Sequence, residues 1–259
     1  MNFRPSKVLE RIRNGYVATC TKINTYDSRV VSIASMAGFD CVWVDLEHVP
    51  NSIQDIEKMI LASKAYDTDI LTRVKRGSYS DLIHPLEADS TGIMVPHVMS
   101  LLDAKTIQYY TKFHPVGRRP LDGGNADGLY AMKDAKEYME FANEQRFIVL
   151  QMEDPEPIKE LNQICALPGA DMIFFGPADF SQGIGTPCDW NNPKIAETRK
   201  LVAKTARENG KIAGTVGSVN NMDELISEGY NFISVGADVV GIGEYFMNIN
   251  SKIKDKRAL

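Results

Sequence analysis

Phe39-Asp40-Cys41-Val42-Trp43-Val44-Asp45-Leu46-Glu47-His48-Val49-Pro50 is the stretch on which the reading of this chain turns. Phe39 to Val44 make a mostly apolar, partly β-branched run bounded by Gly38, which reads as a buried strand. The strand therefore presents Asp45, Glu47 and His48 at its C-terminal tip. In parallel α/β architectures, chemistry sits at that tip. A histidine three residues after an aspartate is suited to be a general base, with Asp45 fixing the tautomer of His48 and raising its basicity. The competing reading is a loop carboxylate pair beside a helix-capping histidine. The rest of the chain has to decide between them.

Working outward, similar runs recur at Tyr16–Thr21, Cys41–Leu46, Asp69–Val74, Gly92–Pro96, Arg146–Met152, Asp171–Phe175, Lys211–Thr215 and Asn231–Val235. Amphipathic stretches with helical spacing lie between them, such as Ile53, Ile56, Met59 and Ile60, or Ile195, Leu201 and Val202. The helix-stop pairs Asn209-Gly210 and Glu228-Gly229 stand just before the seventh and eighth runs. Eight strands alternating with helices in 259 residues is the count and size of a (β/α)8 TIM barrel, an α/β fold forming a single domain over 1–259. Between the fourth and fifth runs, Phe113–Tyr130 is long, holds four glycines, two prolines and the pair Arg118-Arg119, and has no flanking shift in composition. It reads as an active-site loop rather than a linker. A doubly wound sheet is the fold alternative, but no GxGxxG follows the first strand, and Gly241-Ile-Gly243 after the last is explained equally well by packing.

Composition narrows the function classes. The chain is 44% hydrophobic and 24% charged, ample for a large core, and its formal charge of −5 argues against nucleic acid or an anionic membrane surface as partner. Four cysteines, at 20, 41, 165 and 188, show no CxxC spacing, so neither a zinc knuckle nor a disulfide framework is indicated. MNFRPSKVLERIRNG has no apolar core of a secretory signal, and no run approaches a membrane span. A soluble, cytoplasmic protein is expected.

In a barrel the strand ends converge on one mouth. Strand two supplies Asp45, Glu47 and His48; strand three, Arg73; strand four, Pro96-His97; strand five, Gln151 and Glu153; strand six, Gly176-Pro177-Ala178-Asp179. Taken singly, each has a structural alternative: a surface ion pair for Arg73, a helix start for Glu153, an N-cap for Asp179. His97 is read as structural. Taken together, Glu153 and Asp179 are hard oxygen donors on neighbouring strands, suited to Mg²⁺ or Mn²⁺ shared with substrate oxygens. Such an ion polarises a carbonyl as a Lewis acid. Arg73 is suited to a carboxylate or developing enolate oxygen. The backbone at Gly176–Asp179 is suited to a carboxylate, and His48 to moving a proton. The set favours forming or protonating an enolate beside a chelating 2-oxo acid.

Five motifs now make the chain recognisable: Asp45-Leu46-Glu47-His48-Val49-Pro50-Asn51, Thr72-Arg73-Val74, Met94-Val95-Pro96, Gln151-Met152-Glu153 and Gly176-Pro177-Ala178-Asp179-Phe180-Ser181. In this order and spacing they resemble the HpcH/HpaI family of metal-dependent, class II pyruvate aldolases, over about Gly15 to Asn248. The resemblance implies a (β/α)8 barrel whose last helix is exchanged between subunits in a homohexamer. It also implies a divalent ion, Mg²⁺, Mn²⁺ or Co²⁺. By the same resemblance His48 is the catalytic base, Arg73 the enolate-stabilising arginine, and Glu153 and Asp179 the metal ligands. Gln151 and the backbone at Gly176, Pro177 and Ala178 contact pyruvate, and Val216 lines its site. Glu87 falls, by spacing, where the family can place an aspartate from a neighbouring subunit beside the histidine. After Arg119 the family usually has glycine, whereas Pro120 follows here, and Leu121–Leu129 matches nothing in the pattern.

The expected activity is reversible aldol cleavage of a 4-hydroxy-2-oxo acid, or a 2-keto-3-deoxy sugar acid, to pyruvate and an aldehyde. No lysine imine is required, although Lys22 and Lys75 lie near strand ends. A citrate lyase β-like thioester lyase is the alternative enzyme, disfavoured by the lack of an obvious basic patch for coenzyme A. A non-catalytic 2-oxo acid binding barrel would lack a base or a ligand, and no core residue is missing.

Overall fold

In the computed structural model, which describes residues 2–254 and 256, the apolar runs are eight strands. They are β1 (Ala18–Ile23), β2 (Cys41–Asp45), β3 (Asp69–Arg73), β4 (Gly92–Val95), β5 (Phe147–Met152), β6 (Met172–Phe175), β7 (Ile212–Gly217) and β8 (Phe232–Ala237). The helices are α1 (Lys7–Arg13), α2 (Ser28–Met36), α3 (Ile53–Lys64), α4 (Tyr79–Glu87), α5 (Leu101–Thr111), α6 (Ala135–Gln145), α7 (Leu161–Cys165), α8 (Pro177–Gly183), α9 (Pro193–Glu208), α10 (Met222–Ser227) and α11 (Asp238–Lys254). Each strand pairs in parallel with the next and β8 returns to β1, closing the barrel. The expected (β/α)8 class is the observed one.

Period-two alternation sorts the strand residues onto two faces. Ala18, Cys20, Cys41, Trp43, Leu71, Met94, Phe147, Val149, Met172, Phe174, Ile212 and Phe232 form one buried cluster drawn from all eight strands, which is the barrel interior. The intervening residues, such as Val42, Ile70, Ile93, Leu150 and Ile173, pack outward beneath the helices. Glycine is required at two inward positions: a Cβ on Gly92 would stand 2.3 Å from the Phe147 ring, and one on Gly214 2.7 Å from the Phe174 ring. Val8 and Leu9 of α1 join the interior cluster and plug the N-terminal end. Asp69 fastens that plug, accepting from Ser6 Oγ at 2.7 Å and from the Val8 amide at 2.9 Å.

The same alternation, carried one step toward the strand C-termini, puts Lys22, Asp45, Arg73, Gln151, Gly176 and Val216 inward. The apolar fill therefore ends in a polar layer at one mouth, which is where a barrel carries its site.

Phe113–Tyr130 does not sit over the mouth of its own barrel. It follows α5, and a helix returning from a strand's C-terminal end delivers the chain to the opposite end. There Asp127 accepts from Arg146 Nε at 2.7 Å, pairs with Arg119 at 3.0 Å, and takes the Tyr138 hydroxyl at 2.9 Å. Arg146 also donates to Asp89 at 2.6 Å, and both precede strands. The sequence pattern shows the length of the segment but not which end of the barrel it meets.

α11 is unlike the other long helices, because none of its residues is buried. Val239, Val240, Tyr245, Phe246 and Met247 are all exposed on it. Asp238 ties its start to the exit of β1, accepting from the Asn24 and Thr25 amides at 2.8 and 3.0 Å. No helix among the described residues is long and apolar enough to cross a membrane.

Candidate active site

The turn after β2 is pinned at both ends. Asn51 Nδ2 donates to the Asp45 carbonyl at 2.9 Å, and a reciprocal Ser52–Asp55 capping box starts α3 immediately afterwards. Within it the His48 ring is more than half exposed, with Nε2 at 3.3 Å from Glu47 Oε2. Asp45 does not orient His48. Register pairs it instead with Arg73 on the neighbouring strand. Arg73 Nε donates to Asp45 Oδ1 at 3.0 Å and Nη2 donates to Oδ2. The Glu47 amide donates to Oδ1 at 3.0 Å, and the Lys22 ammonium lies 3.0 Å from Oδ2. Burial opposes ionisation of Asp45, but the Arg73 hydrogen bonds and the charges of Arg73 and Lys22 outweigh it and hold the carboxyl at about 2.

Arg73 is thereby fixed and almost wholly buried, with its Cζ 4.9 Å above the Trp43 ring. Its Nε also lies 3.1 Å from Glu47 Oε2, a close ionic contact without hydrogen-bond direction. No hydrogen bond from its Nη1 is found among the described residues.

Across the mouth, Glu153 Oε1 accepts from the His97 amide at 2.9 Å, and Oε2 accepts from Gln151 Nε2. His97 adopts a left-handed backbone, φ 47°, and its Nδ1 stands 2.9 Å from Asp154 Oδ2. The His97 amide thus helps to position Glu153. Gly176 lets this cluster close, since a Cβ there would lie 2.8 Å from Glu153 Oε2 and 3.1 Å from Gln151 Nε2. Half-buried Asp179 stands two residues past Pro177, the first residue of α8, and Val216 opens to solvent near the end of β7. Burial first, and then the charge of Asp179, raise the Glu153 carboxyl to about 7, against the opposing pull of His97 and Arg73.

A carboxyl raised by burial and by a neighbouring carboxylate's charge marks a site that gains from a cation beside it. Gln151, whose Nε2 meets Glu153, has a buried Oε1 with no hydrogen-bond partner among the described residues, a further hard oxygen. The residues fit a hard divalent ion. Among the described residues no set of three or more His, Cys, Asp or Glu side chains is placed to hold a metal ion by itself.

One expected residue is not brought here by its own chain. Glu87 ends α4, at the far end of the barrel, where burial raises its carboxyl against the charges of Arg119 and His84. Three contributions are missing from the sequence reading: Lys22, noted there only as a lysine near a strand end, and Trp43, both beside Arg73, and Asp154 behind His97. Strand alternation was the usable signal for the first two; nothing local marks the third.

The family that the chain matches and the aldolases that it resembles make it a carbon–carbon lyase of the aldolase class, built on a (β/α)8 barrel. A sequence profile described as HpcH/HpaI aldolase/citrate lyase matches residues 23–242, and the chain belongs to that family. It is 27% identical over 232 residues to a 2-keto-3-deoxy-L-rhamnonate aldolase from Shigella boydii serotype 4, covering 89% of this chain and 86% of the relative. The same fold is seen in an HpcH/HpaI aldolase from Desulfitobacterium hafniense DCB-2, with a TM-score of 0.88 at 23% identity over 95% of this chain and 96% of that one. A citrate synthase, SbnG, superposes with a TM-score of 0.87, also at 23% identity, over 97% and 98% of the two chains.

Proposed function

We propose that this protein cleaves a 4-hydroxy-2-oxo acid of the 2-keto-3-deoxy sugar-acid type to pyruvate and an aldehyde, reversibly. The observation that carries the reading is the Arg73 guanidinium, locked by Asp45 with Nη1 left over, in the same mouth as the Glu153–Asp179 pair. Glu153 and Asp179 would hold Mg²⁺, Mn²⁺ or Co²⁺, which supplies Lewis-acid polarisation of the 2-oxo group when bound. Arg73 receives the negative charge that develops on the 2-oxo oxygen. His48, directly or through a water, takes the C4 hydroxyl proton as the C3–C4 bond breaks. The bond's electron pair passes into the enolate, which Arg73 holds until a proton returns to C3 and pyruvate leaves. Gln151 and the backbone at Gly176–Ala178 orient the 2-oxo acid, and Val216 lines the apolar side.

Pyruvate with Mn²⁺ in deuterated water should exchange its methyl protons, and adding hydroxy-aldehydes should yield condensation products. Borohydride added with pyruvate should leave the protein mass unchanged. A trapped lysine adduct would replace this mechanism with an imine one.

The unburied α11 and the remote Glu87 support a further part of the proposal: α11 is exchanged in a closed hexamer, and a neighbour's Glu87 reaches His48. Light scattering should show the hexamer, and Tyr245→Asp with Phe246→Asp should dissociate it with loss of activity. Full activity in a monomer would contradict this assembly.

A further inference from the structure

The Lys22 ammonium points inward in the same layer as Asp45 and Arg73, 3.0 Å from Asp45 Oδ2 and 4.9 Å from the centroid of the Trp43 ring. Arg73 sits over the same ring, also at 4.9 Å, so one indole floors both cations. Asp45 is fully buried and is shared between them, while the Lys22 side chain keeps 20% of its surface and Arg73 only 5%. The charges of the trio decide what this arrangement does. With Asp45 and Arg73 alone, a buried bidentate pair sums to zero, and the guanidinium would show an approaching oxyanion little net charge. Adding Lys22 leaves the trio at +1. Glu47, whose Oε2 lies 3.1 Å from Arg73 Nε, sets a further carboxylate beside the trio, which makes the lysine's charge matter more.

We infer that Lys22 is a positioning residue for the enolate-forming step: by sharing Asp45, it frees the charge of Arg73 for the substrate. The role rests on the aldolase reading above, but it touches neither the metal ligands nor the proton transfer. Trp43 assists by holding the ammonium over its face, so that it stays on Asp45 instead of swinging into solvent.

Lys22→Met keeps the stem and removes the charge. Its pyruvate affinity and methyl-proton exchange should both fall on the order of tenfold, less than the 10²–10³ typical of deleting an oxyanion donor itself. Lys22→Arg should restore most of both. In a double-mutant cycle, Asp45→Asn on the Lys22→Met background returns the trio to +1, so pyruvate affinity should recover; a packing role would instead make the two losses add. Thermal melts of each variant, with Lys22→Gln as a second neutral replacement, separate folding from function. If wild-type protein exchanges pyruvate protons and both neutral variants match it, the inference for Lys22 is overturned. If wild-type protein shows no exchange, the aldolase reading fails first, and the two failures are thereby distinguished.

Discussion

Glu153→Ala is expected to abolish metal-dependent pyruvate binding and to lower turnover by about 10³ or more, since a bound ion supplies several kcal/mol of charge stabilisation. The carboxylate has two jobs. In the proposed reaction it would supply charge to a cation, and it accepts from the His97 amide and from Gln151. Alanine removes both and leaves buried donors unpaired, so part of its effect would be local collapse. Glu153→Gln separates them, because an amide keeps the shape and can still accept from the His97 N–H while the charge is gone. Both variants should therefore lose Mn²⁺ binding in calorimetry, and circular dichroism should show Glu153→Gln folded as the parent. Retention of activity in Glu153→Gln, together with full turnover in excess EDTA, would remove the metal from the proposed reaction.

All eight strands were legible, because a buried parallel sheet writes continuous apolar runs. Their C-terminal edges were less so. β1 was read as Tyr16–Thr21 and runs Ala18–Ile23, while β7 and β8 each extend two residues beyond the reading. The cause is the site itself. The last inward positions include Lys22, Val216 and Gly236, where charge, exposure or glycine interrupts the apolar pattern while the backbone stays paired.

Sequence proximity also misled at Asp45, three residues from His48. Its partner is Arg73, 28 residues away and directly opposite in register, so the cross-strand pair prevails over the local one. Phe113–Tyr130 illustrates the same limit from another side. Its length was visible, but its end of the barrel depends on α5 preceding it. Residues whose placement follows from strand parity could be assigned from sequence. Those whose placement follows from a helix's return path, such as Glu87, could not be tied to the site from one chain.

His48 and Arg73 are expected to fail in different ways, and this comparison tests the mechanism most directly. His48 pairs with Glu47 and is more than half exposed, so its removal should disturb neither the fold nor the 2-oxo acid site. His48→Ala should lower kcat by about 10²–10⁴, the usual cost of losing a positioned base, while pyruvate still binds as an inhibitor. Arg73 is different because it is half of a buried ion pair. Arg73→Ala would strand Asp45 with Lys22 alone, and breaking such a pair typically costs about 3–5 kcal/mol of stability, which confounds any kinetic reading. Arg73→Lys is the cleaner variant. It keeps the charge but replaces a planar fork with a single ammonium, which cannot satisfy both Asp45 oxygens and still present a donor to the mouth. Pyruvate affinity and kcat should both fall in Arg73→Lys, by about 10²-fold on the scale of a lost oxyanion donor. Pyruvate methyl exchange in deuterated water isolates enolate formation from acceptor choice, so the Arg73 loss should appear there in full. The His48 loss should be largest in cleavage of the complete 4-hydroxy-2-oxo acid, where the C4 hydroxyl must give up its proton. Wild-type cleavage by His48→Ala would show that the turn after β2 is structural and that another group moves the proton. Wild-type exchange by Arg73→Lys would show that the fork is not what holds the enolate.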